Sequence, residues 1–178
     1  RAAFIAKSGT YPFPVIERPQ RNEEKEPIFE DIWVRPLQDA RLLGYLKERG
    51  INAHVAIPNC EEVRYRVHGK RYYAIGFRND AGGLELRNHF FKGCIPPKDI
   101  SLKRNGSDVC AVFEGFMDYL SAMQLGIIAS DWLVLNSVSN VEKAVKALQG
   151  YERIECFLDN DDAGRRTFQR LHDCFGEK

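Results

Sequence analysis

Three short apolar runs in the second half of the chain constrain its fold more than any other feature. They are VCAVFEG at 109–115, WLVLNS at 132–137 and IECFLDND at 154–161, and none of them alternates apolar with polar residues. Runs of this kind are typical of strands that are covered on both faces, as in a parallel sheet. The sequence therefore predicts three parallel strands here.

Amphipathic segments follow each of the three runs. Each segment repeats apolar side chains three or four residues apart, as one face of a helix requires. The predicted stripes are Phe116, Leu120 and Met123; Val141, Ala144, Val145 and Leu148; and Phe168, Leu171, His172 and Phe175. Strand and helix thus alternate, and right-handed crossovers between parallel strands give a small α/β domain, which we place at residues 107–178.

The chain before residue 107 is organised differently. Residues 1–31 combine four prolines with the charged run RNEEKE and show no helical or strand period, so they are predicted to be a linker or flexible arm. Residues 32–106 begin with a helical stripe that stops at Gly50, and apolar and basic residues then alternate at 61–91. This part is predicted to be a small α+β subdomain with an antiparallel meander.

Composition narrows the possible partners only slightly. Lys and Arg number 26 against 25 Asp and Glu, and a net charge of +1 neither indicates nor excludes a polyanion. The five cysteines form no C-x-x-C pair, so we expect reduced thiols and no zinc. No run reaches the ~18 to 20 apolar residues of a membrane span and no signal peptide is present, so the predicted location is cytoplasmic.

Carboxylates follow two of the apolar runs. Glu114 ends the first run, Asp159 ends the third, and Asp161 comes two residues later. Ligands of open α/β sheets bind at the carboxyl ends of the strands, so the three acids converge if these two strands are neighbours. A set of oxygen ligands alone suits Mg²⁺ or Mn²⁺. The pattern therefore predicts metal-assisted phosphoryl or nucleotidyl transfer.

Other interpretations of the stretch FLDNDDAGRR at 157–166 were weighed. An EF-hand loop starting at Asp159 is excluded, because Ala163 and Arg170 occupy positions that need an oxygen ligand. A haloacid-dehalogenase-like phosphatase carries its D-x-D motif after the first strand of a long domain, whereas only 17 residues follow Asp161. A polar turn with a helix N-cap and no chemistry stays open.

The two acidic segments together resemble a known domain. VFEGFMDYLSA at 112–122 and FLDNDDAGRR resemble the paired E-G-x-x-D and D-x-D-x-x-G motifs of the Toprim domain in bacterial primases of the DnaG type. YLKERGI, YYAIGFRNDAGGLELRN and FKGCIPPKDISL resemble the subdomain that precedes Toprim in those primases, particularly in divergent forms carried by mobile genetic elements. The resemblance covers roughly residues 33–178.

The resemblance implies roles for individual residues. Glu114 would hold metal or act as general base, and Asp159 and Asp161 would be the main metal ligands. Asp118 would add an outer contact from the first turn of a helix. The residues implied to bind nucleic acid or nucleotide are Arg78, Arg87, Lys92, Lys98 and Arg165. For the basic residues on strands, a merely solvated face is an equally open interpretation.

The implied activity is that of a DNA primase. Such an enzyme is a nucleotidyltransferase that makes short RNA primers from NTPs on single-stranded DNA, uses Mg²⁺ or Mn²⁺, and works beside a replicative helicase. The resemblance also implies a final strand with a further acidic cluster after Lys178, so the activity of these residues alone is expected to be weak or nil. A non-catalytic DNA-binding accessory module and a Toprim nuclease are the alternatives that remain open.

Overall fold

The structure, a computed structural model, describes residues 28–127 and 131–176, and the predicted arm at 1–31 lies outside these ranges except for its last four residues. The strands are β1 (Glu30–Pro36), β2 (Glu61–Val67), β3 (Lys70–Arg78), β4 (Leu84–Arg87), β5 (Lys92–Ile95), β6 (Ser101–Lys103), β7 (Val109–Phe113), β8 (Asp131–Val134) and β9 (Arg153–Phe157). The helices are α1 (Ala40–Glu48), α2 (Ala53–Ala56), α3 (Phe116–Gln124), α4 (Val141–Ala147) and α5 (Asp162–Phe175), with a 3-10 turn at Val138–Asn140.

The first five strands form one antiparallel sheet, sheet A, in the order β1-β2-β3-β4-β5. This confirms the predicted meander and extends it by a strand on each side. Strand β1 begins at Glu30, inside the segment that the sequence assigned to the arm. This strand was not predicted, because the sequence upstream is rich in proline and shows no strand period. It is held in the sheet by its backbone pairing with β2.

The remaining strands form sheet B, in the order β6-β8-β7-β9. Strand β7 pairs in parallel with both β8 and β9, which confirms the three predicted parallel strands. Strand β6 was not predicted, and it pairs with β8 in the antiparallel direction. Because β6 lies before residue 107, the predicted domain boundary runs through sheet B.

One hydrophobic core joins the two sheets. Leu46 of α1, Ile75 and Phe77 of β3, and Phe113 and Phe116 beside β7 belong to the same buried cluster. The rings of Phe77 and Phe116 stack with centroids 5.2 Å apart. This packing fixes sheet A against the carboxyl ends of the strands in sheet B, where the acidic residues lie.

Helix α5 buries part of the stripe that its sequence predicted: Leu171 is buried and Phe175 packs against the core, as expected, but the other two members are exposed. Its buried residues are Gly164, Thr167 and Leu171, whereas Phe168 is 49% exposed and His172 is also exposed. The reason lies at the start of the helix, where Gly164 contacts the backbone of Asp159 so closely that a Cβ atom would overlap the Asp159 carbonyl oxygen. That contact sets which side of α5 faces the sheet.

A buried carboxylate ties β1, β2 and α1 together. The side chain of Glu62 is fully buried and accepts hydrogen bonds from Arg35 Nη2 at 2.6 Å, Arg64 Nε at 2.8 Å and the Asp39 backbone N at 3.0 Å. Burial raises the pKa of Glu62, but the hydrogen bonds from Arg35 and Arg64 outweigh it, so the net pKa lies below its ordinary value.

We expect Glu62→Gln to lower the free energy of unfolding by about 2 kcal/mol at pH 7, since it replaces charge-assisted hydrogen bonds with neutral ones. A carboxylate with a depressed folded-state pKa stabilises the fold above its ordinary pKa of 4.5 and loses that contribution as the pH falls through its folded-state pKa. Urea unfolding at pH 7 and pH 3 should therefore show a gap between wild type and variant that narrows in acid. A gap that is equal at both pH values would contradict this account.

Candidate active site

The pairing of β7 with β9 brings two of the predicted acids together. Phe113 and Phe157 are register partners at the carboxyl ends of these strands, so Glu114 and Asp159 follow on the same edge of sheet B. The backbone N of Asp159 donates a hydrogen bond to Glu114 Oε2 at 3.2 Å. The predicted convergence of these two residues is confirmed by this contact.

The side chain of Asp161 adds negative charge to the site and also caps the N-terminus of α5. It is the N-cap of α5, and its Oδ1 accepts hydrogen bonds from the backbone N of Ala163 and of Gly164, both at 2.9 Å. The N-cap interpretation of this stretch is therefore correct, and it coexists with an acidic cluster. The cap fixes where the loop from Asp159 to Asp161 turns into the helix.

Asp118 approaches the site from α3. Gly115 is the N-cap of this helix, and Asp118 stands in its first turn, where the helix dipole favours a carboxylate. A Cβ atom at position 115 would lie 3.2 Å from Asp118 Oδ2, so the small residue leaves room for the acid beside the strand end. The E-G-x-x-D spacing thus places Asp118 in the pocket, where it feels the charge of Asp159.

Close packing of these acids changes their titration. Burial, and then repulsion from Asp159 and Asp161, raises the pKa of Glu114. Partial loss of solvent around the carboxylate, and then repulsion from Asp159, raises the pKa of Asp118. Lys92 acts in the opposite direction on both groups. Uncompensated negative charge at strand ends is the electrostatic setting in which a divalent cation binds.

A pocket of about 190 Å³ opens between the acids and sheet A. One wall comes from the strand ends and α3, and the opposite wall comes from β4, β5 and the end of α1. The residues that line it are Arg49, Glu85, Leu86, Arg87, Lys92, Gly93, Gly115, Phe116, Met117, Asp118, Asn136 and Asp159. Carboxylates and cations therefore share one cavity across the junction of the two sheets.

The structure brings two of the predicted basic residues to this pocket. Arg87 and Lys92 are register partners on β4 and β5, and both line the cavity. Arg87 Nε donates a hydrogen bond to the hydroxyl of Tyr45 at 3.2 Å, which holds the guanidinium against α1.

The other three predicted basic residues lie elsewhere. Arg78 pairs with Glu61, with Nε 2.8 Å from Oε2, and does not line the pocket. Lys98 does not line it either, although its charge lowers the pKa of the pocket residue Glu85 against the larger effect of burial, which raises it. Arg165 turns back on its own loop, with Nη2 2.6 Å from Asp162 Oδ1.

Three pocket residues with charged or amide side chains were not among the predicted site residues. Arg49 caps the C-terminus of α1, and in the sequence it looks like any solvated cation. Glu85 stands two residues before Arg87 on β4, so the alternation of a strand was a sufficient signal to place both on one face.

The third is Asn136, which is 8% exposed, has a positive φ of 63° and has a buried Oδ1 without a hydrogen-bond partner. Its Nδ2 donates to the Asp99 carbonyl and to Ser101 Oγ, both at 2.9 Å. These two bonds fix the orientation of the amide.

The donor atoms around the pocket suit a hard cation. Asp118 and Asp159 line the pocket, whereas the predicted ligands Glu114 and Asp161 do not. All four offer oxygen ligands alone, as Mg²⁺ and Mn²⁺ prefer. Within the described ranges, however, no three acids, histidines or cysteines stand close enough together to form a ready metal cage. The residues thus fit a metal that is held by one or two carboxylates and completed by water and substrate phosphate, which is how Mg²⁺ usually binds.

Comparison with family models gives matches to two parts of the chain. Residues 111–178 match a family model described as Toprim-like. They form a Toprim-like domain. The part before it, residues 31–96, matches a family described as a domain of unknown function, DUF8464. A comparison with curated proteins found no match.

Two solved structures resemble most of this chain in fold. The primase fragment of the bacteriophage T7 primase-helicase protein is 19% identical, with a TM-score of 0.51 over 88% of this chain and 69% of that chain. A chain from the complex of T7 lagging-strand DNA polymerase with two primase domains, bound to an RNA/DNA hybrid and dTTP, is also 19% identical, with a TM-score of 0.52 over 73% of each chain. At this identity the likeness shows the fold alone.

Among the helices of the described residues, none has the length and apolar composition needed to cross a membrane.

Proposed function

We propose that this chain is a primase-type nucleotidyltransferase that synthesises short RNA primers on single-stranded DNA. One observation carries the proposal: Asp118 and Asp159 share a pocket with Arg49, Arg87 and Lys92, so acids that suit a metal face cations that suit phosphate. The primase fold of the two T7 structures supports the same activity.

The acids would hold Mg²⁺ or Mn²⁺. Asp159 and Asp161 are the proposed main ligands, with Glu114 beside them and Asp118 as an outer contact. When bound, the metal neutralises charge on the triphosphate and on the leaving pyrophosphate. The raised pKa of Glu114 suits it to take up the proton of the attacking 3′-hydroxyl.

The cations would position the nucleotide. Arg87 and Lys92 are proposed to bind triphosphate oxygens from the wall opposite the acids, with Arg49 completing this wall. The tie between Arg87 and Tyr45 orients the guanidinium before substrate binds, which reduces the entropy cost of binding.

The remaining predicted basic residues, Arg78, Lys98 and Arg165, are proposed to contact template outside the pocket. Arg165 would first have to release Asp162. We further propose a replicative helicase as partner, because the T7 protein with this fold is described as a primase-helicase. We propose that the priming serves the replication of a mobile element and takes place in the cytoplasm.

The test is a product assay with single-stranded DNA, labelled NTPs and Mg²⁺ or Mn²⁺, made on a chain extended at both ends, because the resemblance implies a further acidic strand after Lys178. We expect short RNA products complementary to the template that disappear with EDTA and fall about a hundredfold in Glu114→Gln, which keeps an acceptor for the Asp159 N–H but loses the charge. Nicked DNA without RNA would identify a nuclease, and template binding without any product would identify an accessory module; either result overturns the proposal.

A further inference from the structure

Aromatic and arginine side chains lie side by side on one face of sheet A, away from the pocket. Trp33 on β1 is the register partner of Arg64 on β2, and Arg64 is the partner of Tyr73 on β3. Directly opposed residues of antiparallel strands point to the same face. These three side chains therefore form a row across the first three strands.

The arginines of this face stack on its aromatic rings. The guanidinium carbons of Arg35 and Arg64 lie 5.0 and 6.0 Å from the centroid of the Trp33 ring, and that of Arg41 lies 3.9 Å from the Tyr73 ring. Trp33 nevertheless remains 52% exposed. We name these five residues, Trp33, Arg35, Arg41, Arg64 and Tyr73, the Trp33 platform.

The charge around the platform is positive. Its ion pairs join four arginines to only three carboxylates: Arg35, Arg41, Arg64 and Arg66 to Asp31, Asp39 and Glu62. Arg66 is moreover the register partner of Arg71. Directly opposed like charges destabilise an antiparallel pair, so this arrangement favours an anionic partner that bridges them.

The platform and the pocket are separate surfaces of sheet A. A row of register partners runs from Arg35 across all five strands to Arg87 and Lys92. Four strand spacings of ~4.8 Å separate its ends by about 19 Å. In the middle of the row Glu62 and Ile75 are fully buried, so the platform is exposed at the β1 end and the pocket lies at the β4 and β5 end.

We propose that the Trp33 platform binds a single-stranded polynucleotide, with an unpaired base stacked on Trp33 and phosphates bound by the surrounding arginines. Exposed aromatic planes combined with cations are how proteins hold single strands without reading sequence. A duplex keeps its bases stacked inside, and an acidic peptide offers charge but no planar groups for Trp33. The site lies outside the Toprim-like domain, in the part that matches the family of unknown function, and it needs neither metal nor turnover.

Trp33 also supplies the probe for the test. The chain has two tryptophans, so Trp132→Phe leaves Trp33 as the single fluorophore. In the 178-residue chain with EDTA present, titration with dT12 should quench this fluorescence, and U12 in its place tells whether DNA or RNA binds better. An abasic 12-mer carries the same charges without bases, and we expect it to bind about tenfold more weakly than dT12.

Variants then separate stacking from charge. Trp33→Ala should weaken binding of labelled dT12 about tenfold, and Trp33→Tyr should recover most of it. Arg66→Ala should reduce by about one the slope of log affinity for dT12 against log salt concentration. The variant should stay folded, because the ion pair of Arg66 with Asp31 is exposed to solvent. The matched control is Tyr72→Ala, an exposed aromatic on β3 that faces the opposite side of the sheet.

Two results would overturn the proposal. One is equal affinity of the abasic strand and dT12, which would mean that charge alone binds the strand. The other is an affinity that Trp33→Ala leaves unchanged while melting curves show the variant folded. Both measurements are made without metal, so they do not depend on whether the pocket carries out primer synthesis.

Discussion

Gly164→Ala should reduce primer synthesis by at least about a hundredfold while leaving every carboxylate of the site in place. An added Cβ would overlap the carbonyl oxygen of Asp159 and would lie 2.9 Å from its carbonyl carbon and 3.1 Å from its nitrogen. Backbone atoms of a loop that follows a buried strand cannot move aside as a flexible side chain can. Either Asp159 shifts or α5 tilts away, and both changes separate Asp159 from Glu114.

The size of the effect follows from the geometry of the reaction. Displacing a reacting group by about 1 Å costs on the order of a hundredfold in rate. The same overlap is expected to lower the free energy of unfolding by about 2 kcal/mol, as overpacking in a filled site usually does. Primer yield and urea unfolding of the same preparation measure both quantities.

Gly44→Ala is the matched control for this substitution. Gly44 is also helical, but a Cβ atom there meets no atom within 4 Å. Alanine is the better helix former, so Gly44→Ala should stabilise the chain by about 0.5 to 1 kcal/mol and leave activity unchanged. If Gly164→Ala behaves like Gly44→Ala, the contact with Asp159 does not position the site.

The sequence predicted the strands of this part of the site correctly but not the rotation of helix α5, and Gly164 shows why. Acids that end two apolar runs converge whenever those strands are neighbours, and β7 and β9 are neighbours. Apolar spacing alone predicted that Phe168, Leu171, His172 and Phe175 of α5 face the core, and of these four Phe168 and His172 are exposed. Spacing carries no information about the backbone contact at Gly164 that sets the rotation of the helix.

The opposite wall depends on long-range packing. Arg49 reaches the pocket because α1 lies on β3, and Arg78 misses it because Glu61 holds it on the next strand. No local pattern distinguishes these two cations from each other. Alternation along β4 places Glu85 on the same face as Arg87, so this part of the wall could have been predicted from the sequence.

Removal of the charge of Asp159 should have the largest effect of any substitution in the pocket. We expect Asp159→Asn to reduce metal-dependent primer synthesis about a thousandfold, which corresponds to the several kcal/mol that a bound metal contributes to such a reaction. The backbone N–H of Asp159 still donates to Glu114, so the loop keeps its conformation. The fold should therefore survive the change.

Stability should move in the opposite direction to activity. Repulsion from Asp159 contributes to the raised pKa of both Glu114 and Asp118, so the variant relieves a cluster of like charges. A melting temperature equal to or above that of wild type is expected at pH 7. Such a trade of stability for function is typical of active sites and would not arise from a carboxylate that merely caps a turn.

Asp162→Asn is the control that makes the comparison specific. Asp162 lies three residues further along the chain, at the first position of α5, its side chain is 81% exposed, and it pairs with Arg165. Its loss should change primer synthesis by no more than about threefold, because surface ion pairs contribute little. Titration of Mn²⁺ by paramagnetic relaxation should show binding to wild type and to Asp162→Asn but not to Asp159→Asn. Equal Mn²⁺ binding by all three proteins would remove Asp159 from the metal site and, with it, the proposed role of the pocket.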